Sequence, residues 1–153
     1  MNVTQQSTQL FVTDFNRTIF DPDRRSLIHG AVEVLQAVKA HGFVSVLLSQ
    51  AVENRRKLIA ELGLEPYFDE IILTSTKTPA ILAELATRHR AKPEHSFVLG
   101  DRAHGEIALG AAAGWRTIWL QAGRFADELP AANRRPTHTI HSLAEVPSLI
   151  ARS

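Results

Sequence analysis

The sequence contains no cysteine. Disulfides, thiolate nucleophiles, iron–sulfur clusters and Cys-based zinc sites are therefore excluded, while the redox character of the compartment stays open. Neither sign of charge is in excess: 17 Lys and Arg face 16 Asp and Glu, for a formal net charge of +1. A general binder of nucleic acid or anionic membrane carries a clear basic surplus, so no nucleic-acid partner is expected. No apolar run approaches the roughly 18 residues that suggest a spanning helix, so no membrane partner is expected either. The opening residues MNVTQQSTQL have no basic segment and no apolar run. They do not read as a signal peptide, and a cytoplasmic location is the expectation. Eight Gly and seven Pro are too few for a collagen-like chain.

What is present is an ordinary globular composition, 44% hydrophobic and 22% charged, over 153 residues. That length suits one domain over 1–153, large enough to bury its core without a disulfide or metal staple. Along it, short apolar runs alternate with helical patterns. The spacing predicts strands over 10–13, 43–48, 71–73, 96–99 and 116–120, with a short edge strand over 138–140. Between them it predicts helices over 29–41, 51–62, 79–90 and 104–113, and a last helix from a Ser142 cap to about Ala151. Gly42, Gly63 and Gly114 sit where helices stop, and Pro79 sits at a helix start. Residues 15–28 and 121–136 read as loops, the first with a turn at Asp21-Pro22-Asp23. Strands alternating with helices imply an α/β fold, a three-layer doubly wound (Rossmann-like) parallel sheet with helices on both faces. Strands without clean apolar/polar alternation agree with burial on both faces.

In such a sheet the ligand crevice lies outside the carboxyl ends of the strands. Polar residues stand there after four strands: Asp14, Ser49, Lys77, and Asp101 with Glu106 five residues on. A strand-end carboxylate by itself is commonly a turn or cap residue. The combination suits phosphoryl transfer. A carboxylate can attack phosphorus, clustered carboxylate and carbonyl oxygens can hold Mg²⁺, and a hydroxyl and an ammonium can bind the other phosphoryl oxygens. The ammonium also offsets repulsion among the carboxylates, which would otherwise raise the pKa of the nucleophile.

From Leu10 to Leu120 these residues resemble the haloacid dehalogenase (HAD) superfamily. LFVTDFNRT resembles its first motif, with Asp14 at the nucleophile position and Thr18 at the Thr position. Ser49 in VSVLLSQ matches the second motif, Lys77 in TKTPAIL the third, and FVLGDRAHGE, with Asp101 and Glu106, the fourth. The resemblance implies a Mg²⁺-dependent phosphohydrolase that forms an aspartyl-phosphate on a phosphorylated substrate, small or macromolecular. It implies catalytic roles for Asp14, Asn16 and Lys77, phosphate binding by Thr18, Ser49, Lys77 and Arg17, and metal binding by Asp14, the Asn16 carbonyl, Asp101 and Glu106. A response-regulator-like receiver domain shares the residue types. Its acidic pair follows the first strand, however, and its phospho-acceptor follows the third, where this chain has no Asp.

Asn16 departs from the pattern, since the family's phosphatases carry there an Asp that serves as general acid and base. Asn cannot transfer a proton at ordinary pH, and such catalysis is worth roughly 10²–10⁴-fold. Three readings follow: a slowed or inactive phosphatase, a specialised branch, or a substitute proton donor such as His104. Arg17 replaces a frequent Gly and either binds a substrate anion or faces solvent. Glu106 is one methylene longer than the common Asp. A non-catalytic binding or regulatory protein on the same scaffold is the rival reading, and a dehalogenase a third.

Other features carry less. His138 and His141 lack a third zinc ligand. Arg55-Arg56-Lys57 and Arg134-Arg135 read as solvated faces, Trp115 and Trp119 as core or interface residues, and Arg124 and Phe125 as substrate contacts. Asp14 and Ser49 are 35 positions apart, and Ser49 and Lys77 are 28 apart. Neither gap holds a cap domain, so an open crevice is expected, closed by a large substrate or by a second copy of the chain.

Overall fold

The computed structural model describes residues 8–152. Strand β1 (Leu10–Thr13) leads into a small antiparallel hairpin, β2 (Phe20–Asp21) and β3 (Ser26–Leu27). Then follow α1 (Ala31–Ala40), β4 (Val44–Gln50), α2 (Arg55–Glu61), β5 (Glu70–Thr74), α3 (Pro79–Arg88) and β6 (Phe97–Gly100). Helix α4 (Ala108–Ala112), β7 (Arg116–Leu120), β8 (His138–Ile140) and α5 (Val146–Ala151) complete it. The six long-sheet strands run parallel in the order β5-β4-β1-β6-β7-β8. This is the expected α/β Rossmann-like sheet with helices on both faces.

Each strand divides its side chains between two cores, because successive residues point to opposite faces. Phe11 of β1, Leu47 of β4 and Phe97 and Leu99 of β6 join Val34, Leu35 and Val38 of α1 and Ile150 of α5 on one face. Leu10, Val12, Val46, Leu48 and Val98 meet Leu82, Leu85 and Ala86 of α3 on the other. Both faces being apolar, the strands show no alternation in sequence. Trp115 and Trp119 are buried.

Three predicted boundaries shift. The loop 15–28 contains the β2–β3 hairpin, held by a stacked Phe15–Phe20 pair with centroids 5.0 Å apart. The helix predicted from residue 51 starts only at Arg55, after Asn54 at φ 64°. The helix predicted over 104–113 begins as a wide π turn, Ala103–Ile107, with Gly105 outside helical dihedrals, before α4. No helix among the described residues is long and apolar enough to cross a membrane.

The chain order fixes where a crevice opens. From β1 it winds outward to β4 and β5, then returns to place β6 on the other side of β1. The switch point therefore lies between β1 and β6, the two strands that Asp14 and Asp101 directly follow.

Candidate active site

The cleft at this switch point measures about 450 Å³ and is lined by Asp14, Ser49, Arg55, Lys77, Asp101 and Glu106, with Asn16, Arg17 and Phe125 at its margins. The ladder explains the first approach: Asp14 N donates to Leu99 O at 3.1 Å, so the chain leaving β1 stays clasped to β6. Lys77 arrives from the loop between β5 and α3. Its Nζ donates to Asp14 Oδ1 at 2.6 Å and to Glu106 Oε1 at 2.8 Å. Thr18 is fully buried beneath, and its hydroxyl lies 3.2 Å from Asp14 Oδ2 and 3.4 Å from Asp101 Oδ1.

Gly100 lets Glu106 into this cluster. A Cβ added at Gly100 would meet Glu106 Cβ at 2.8 Å and Oε2 at 3.0 Å. The π turn after Asp101 carries Glu106 back over β6, and Trp119 Nε1 fixes the Asp101 carbonyl at 3.0 Å.

The electrostatics follow from burying three carboxylates with one ammonium. Burial, then the nearby Glu106 carboxylate, raises the Asp14 pKa to about 6 even though Lys77 pulls it down. Burial, then Asp14 and Glu106, raises Asp101 to about 7. Burial alone would lower the Lys77 pKa, but Asp14 and Glu106 more than offset it and the net shift is upward. Such shifts concentrate where chemistry is done.

Asp14, Asp101 and Glu106 present oxygens that all lie within 4.8 Å of one another. Asp101 Oδ2 and Glu106 Oε2 are buried with no hydrogen-bond partner. Buried carboxylate oxygens without partners are costly, and an all-oxygen donor set suits a hard divalent cation.

Sequence reasoning misread one member of the cleft. Arg55, read as part of a solvated face, is only 8% exposed. Its guanidinium lies over the Phe15 ring at 4.6 Å, and Nη1 donates to Ser49 Oγ at 2.6 Å. Burial lowers its pKa. The late start of α2 places it: residue 55 opens the helix one turn from the end of β4, facing the sheet rather than solvent. Arg56 and Lys57 do face solvent. No periodicity could have marked Arg55, because its inward turn depends on the left-handed Asn54 before it.

The remaining expectations divide. Asn16 is exposed at the cleft. Arg17 adopts φ 61° and its Nη1 lies 3.4 Å from Asp23 Oδ2. His104 is turned to the loop after β7, with Nε2 2.6 Å from Leu129 O and Nδ1 3.4 Å from Glu128 Oε2, and it does not line the cleft. Phe125 lines the cleft beneath the Arg102 guanidinium, 4.1 Å from its centroid. Arg134 is tied to Ala108 O at 2.9 Å instead of standing free.

The pattern of a family described as HAD-hydrolase-like matches residues 77–146. The chain is 27% identical over 129 residues to pyrimidine 5'-nucleotidase YjjG of Escherichia coli (strain K12), which covers 80% of this chain and 56% of that protein. It thus spans little more than half the length of that curated relative. Among solved structures, an uncharacterized protein from Listeria monocytogenes serotype 4b superposes with a TM-score of 0.78 at 21% identity, covering 94% of this chain and 97% of that one. The putative HAD-hydrolase YfnB from Bacillus subtilis, solved bound to magnesium, gives 0.68 at 24% identity over 81% of this chain and 56% of that one. Similarities at this identity carry the fold.

Proposed function

We propose that this chain, a HAD-like hydrolase by its fold and its relatives, is a slow Mg²⁺-dependent phosphohydrolase that works through an aspartyl-phosphate on Asp14. The observation that carries the reading is the Lys77 ammonium 2.6 Å from Asp14 Oδ1 and 2.8 Å from Glu106 Oε1, beside two carboxylate oxygens that are buried and unpartnered.

The residues divide the work. Lys77 and Thr18 hold the Asp14 carboxylate in one orientation, so an oxygen of Asp14 is presented to phosphorus in line. Attack forms the Asp14–phosphorus bond and breaks the bond to the alcohol oxygen. Ser49, fixed by Arg55, donates to a phosphoryl oxygen, and Arg55 and Lys77 balance the charge that develops there. Water then attacks the phosphorus of the acyl phosphate, releasing phosphate and regenerating Asp14. Asp14, Asp101, Glu106 and the Asn16 carbonyl would hold Mg²⁺. When bound, that cation neutralises phosphoryl charge and screens the carboxylates from the incoming anion.

The alcohol oxygen leaves as an alkoxide and must take a proton. Asn16 stands where an acid would deliver it and has none to give. His104 is engaged by Glu128 and Leu129 outside the cleft. Solvent therefore supplies the proton, which makes esters of acidic alcohols the favoured substrates and turnover slow.

Hydrolysis of p-nitrophenyl phosphate with and without Mg²⁺ tests the reading. Wild type should turn over only with the cation, and Asp14→Ala should abolish turnover. Retained turnover in Asp14→Ala, with the variant's melting curve unchanged, would remove Asp14 from the mechanism.

A further inference from the structure

Arg102 follows Asp101 directly in the chain and lines the carboxylate cleft. Three carboxylates and the Lys77 ammonium leave that cleft with a surplus of negative charge. A guanidinium at its margin competes with a divalent ion for the same oxygens, because it can fork onto a carboxylate through two parallel hydrogen bonds. Asp101 Oδ2 and Glu106 Oε2 nevertheless have no hydrogen-bond partner. The Arg102 guanidinium is turned the other way, onto the loop that follows β7. Its Nη2 donates to Glu128 Oε2 at 2.8 Å, and its plane lies 4.1 Å from the centroid of Phe125.

The turn that joins Asp101 to Glu106 leaves Arg102 this choice. Trp119 packs beneath Ala103 and Ile107, so Arg102 and His104 are the residues of the turn that face outward and are exposed. The bond to Glu128 raises the Arg102 pKa, and the charges of Asp101 and Glu106 raise it further. The guanidinium is therefore drawn toward the loop and toward the cleft at once.

The acceptor on the loop is itself fixed. Glu128 stands between β7 and β8, yet its side chain is only 12% exposed. Oε1 accepts from His104 N at 3.4 Å, and Oε2 lies 3.4 Å from His104 Nδ1. The loop closes on itself beneath it, with Glu128 N donating to Phe125 O at 3.2 Å and Gln121 Nε2 to Ala126 O at 3.1 Å. An acid held on three sides keeps its partner in place. Groups that orient the neighbours of metal ligands in this way contribute to metal affinity without touching the ion.

We propose that Glu128 is a positioning residue of the cation site: it withholds the Arg102 guanidinium from Asp101 and Glu106 and so leaves their oxygens to the divalent ion. Without Glu128 the guanidinium turns onto those oxygens, and the ion must displace it to bind. This assignment rests on the Mg²⁺-dependent phosphohydrolase reading and adds the residue that keeps its metal ligands unpaired.

The test is a double-mutant cycle read as Mg²⁺ binding by calorimetry, without substrate, on wild type, Glu128→Ala, Arg102→Ala and the double variant. Glu128→Ala should bind Mg²⁺ roughly tenfold more weakly, as when a partner of a metal ligand is removed. Adding Arg102→Ala to Glu128→Ala should restore most of that loss, whereas Arg102→Ala alone should change binding by less than about threefold, as for an exposed charge. Glu128→Gln, which keeps an oxygen for Arg102 and His104, should recover part of the loss. If Glu128 acted only through its negative charge, Arg102→Ala would strengthen binding by the same factor in both backgrounds, and that result overturns the assignment. Wild-type affinity in Glu128→Ala overturns it too, as does an affinity loss matched by a lowered melting temperature in chelator, which would make Glu128 a packing residue of the loop. Wild type that binds no Mg²⁺ at all overturns the metal reading itself, and this assignment with it.

Discussion

Arg55 donates to the Ser49 hydroxyl across 2.6 Å while its guanidinium rests on the Phe15 ring. A buried cation thus sits under the hydroxyl at the end of β4, on the side of the cleft opposite Glu106. The contact ties α2 to the central sheet and points the Ser49 lone pairs and proton in fixed directions. It also sets a second positive charge near Asp14 beside that of Lys77.

Replacing Arg55 should therefore cost activity more than stability. A hydrogen bond from a charged group is worth about 1.5–3 kcal/mol, or roughly 10–100-fold in kcat/KM for an aryl phosphate. Arg55→Lys keeps the charge but loses the planar face over Phe15 and the fork, and should recover only part of the loss. Steady-state kinetics on both variants checks this. Equal activity in wild type and Arg55→Ala would reduce Arg55 to a packing residue.

Asn16→Asp supplies the missing acid at an exposed position that lines the cleft. Turnover of unactivated alkyl phosphates should rise by roughly 10²–10⁴-fold, and that of p-nitrophenyl phosphate by less, because its leaving group needs little protonation. The contrast between the two substrates is the measurement. A uniform change, or none, would mean that proton delivery does not limit the wild-type protein.

The raised carboxyl pKa values make a stability prediction with a definite sign. Asp101 is shifted from 3.8 to about 7 and Asp14 from 3.8 to about 6. Between these limits the folded chain holds protons that the unfolded chain has released. Their contribution is fully present below about pH 4 and is lost as pH rises through 6 to 7. In chelator, Asp101→Asn should therefore gain in melting temperature relative to wild type between pH 5 and pH 8. Mg²⁺ should restore wild type at pH 8, help Asp101→Asn far less, and bind more weakly below pH 7 as its ligands protonate. A wild-type minus variant difference independent of pH would contradict the assignment.

Two glycines test the packing separately from the chemistry. At Gly110 a Cβ would lie 2.6 Å from Thr117 Cγ2, between α4 and β7. Gly110→Ala should destabilise the fold by about 1–3 kcal/mol, or about 2–4 °C per kcal/mol in a chain of this size. At Gly100 the obstruction is Glu106 itself. Gly100→Ala should weaken Mg²⁺ binding by more than its effect on melting temperature suggests. Thermal melts and metal titrations on the pair separate the two effects.

The carboxylates and the lysine were legible because each ends an apolar strand or opens a helix. Strands buried on both faces stand out in any sequence as unbroken Val, Leu, Ile and Phe runs. Asp14, Ser49, Lys77, Asp101 and Glu106 could be placed on one edge of one sheet for that reason. The π turn, the β2–β3 hairpin and the inward turn of Arg55 left no such mark. Each depends on one or two backbone angles, such as φ 64° at Asn54, which local composition does not specify. His104 was open in the sequence for a similar reason: nothing near it in the chain reveals that Glu128 and Leu129, about 25 residues on, take its ring.

The alternation of apolar strands with amphipathic helices, by itself, determined the α/β class, since a parallel sheet apolar on both faces must be covered on both. It also determined which carboxylates would meet, since strand ends gather at the switch point. Only the tertiary structure decided how closely they meet, which oxygens are left without partners, that Arg55 joins them, and that Glu128 takes up Arg102 beside them. Those outcomes depend on contacts between residues distant in sequence, where a shift of an ångström separates a hydrogen bond from none.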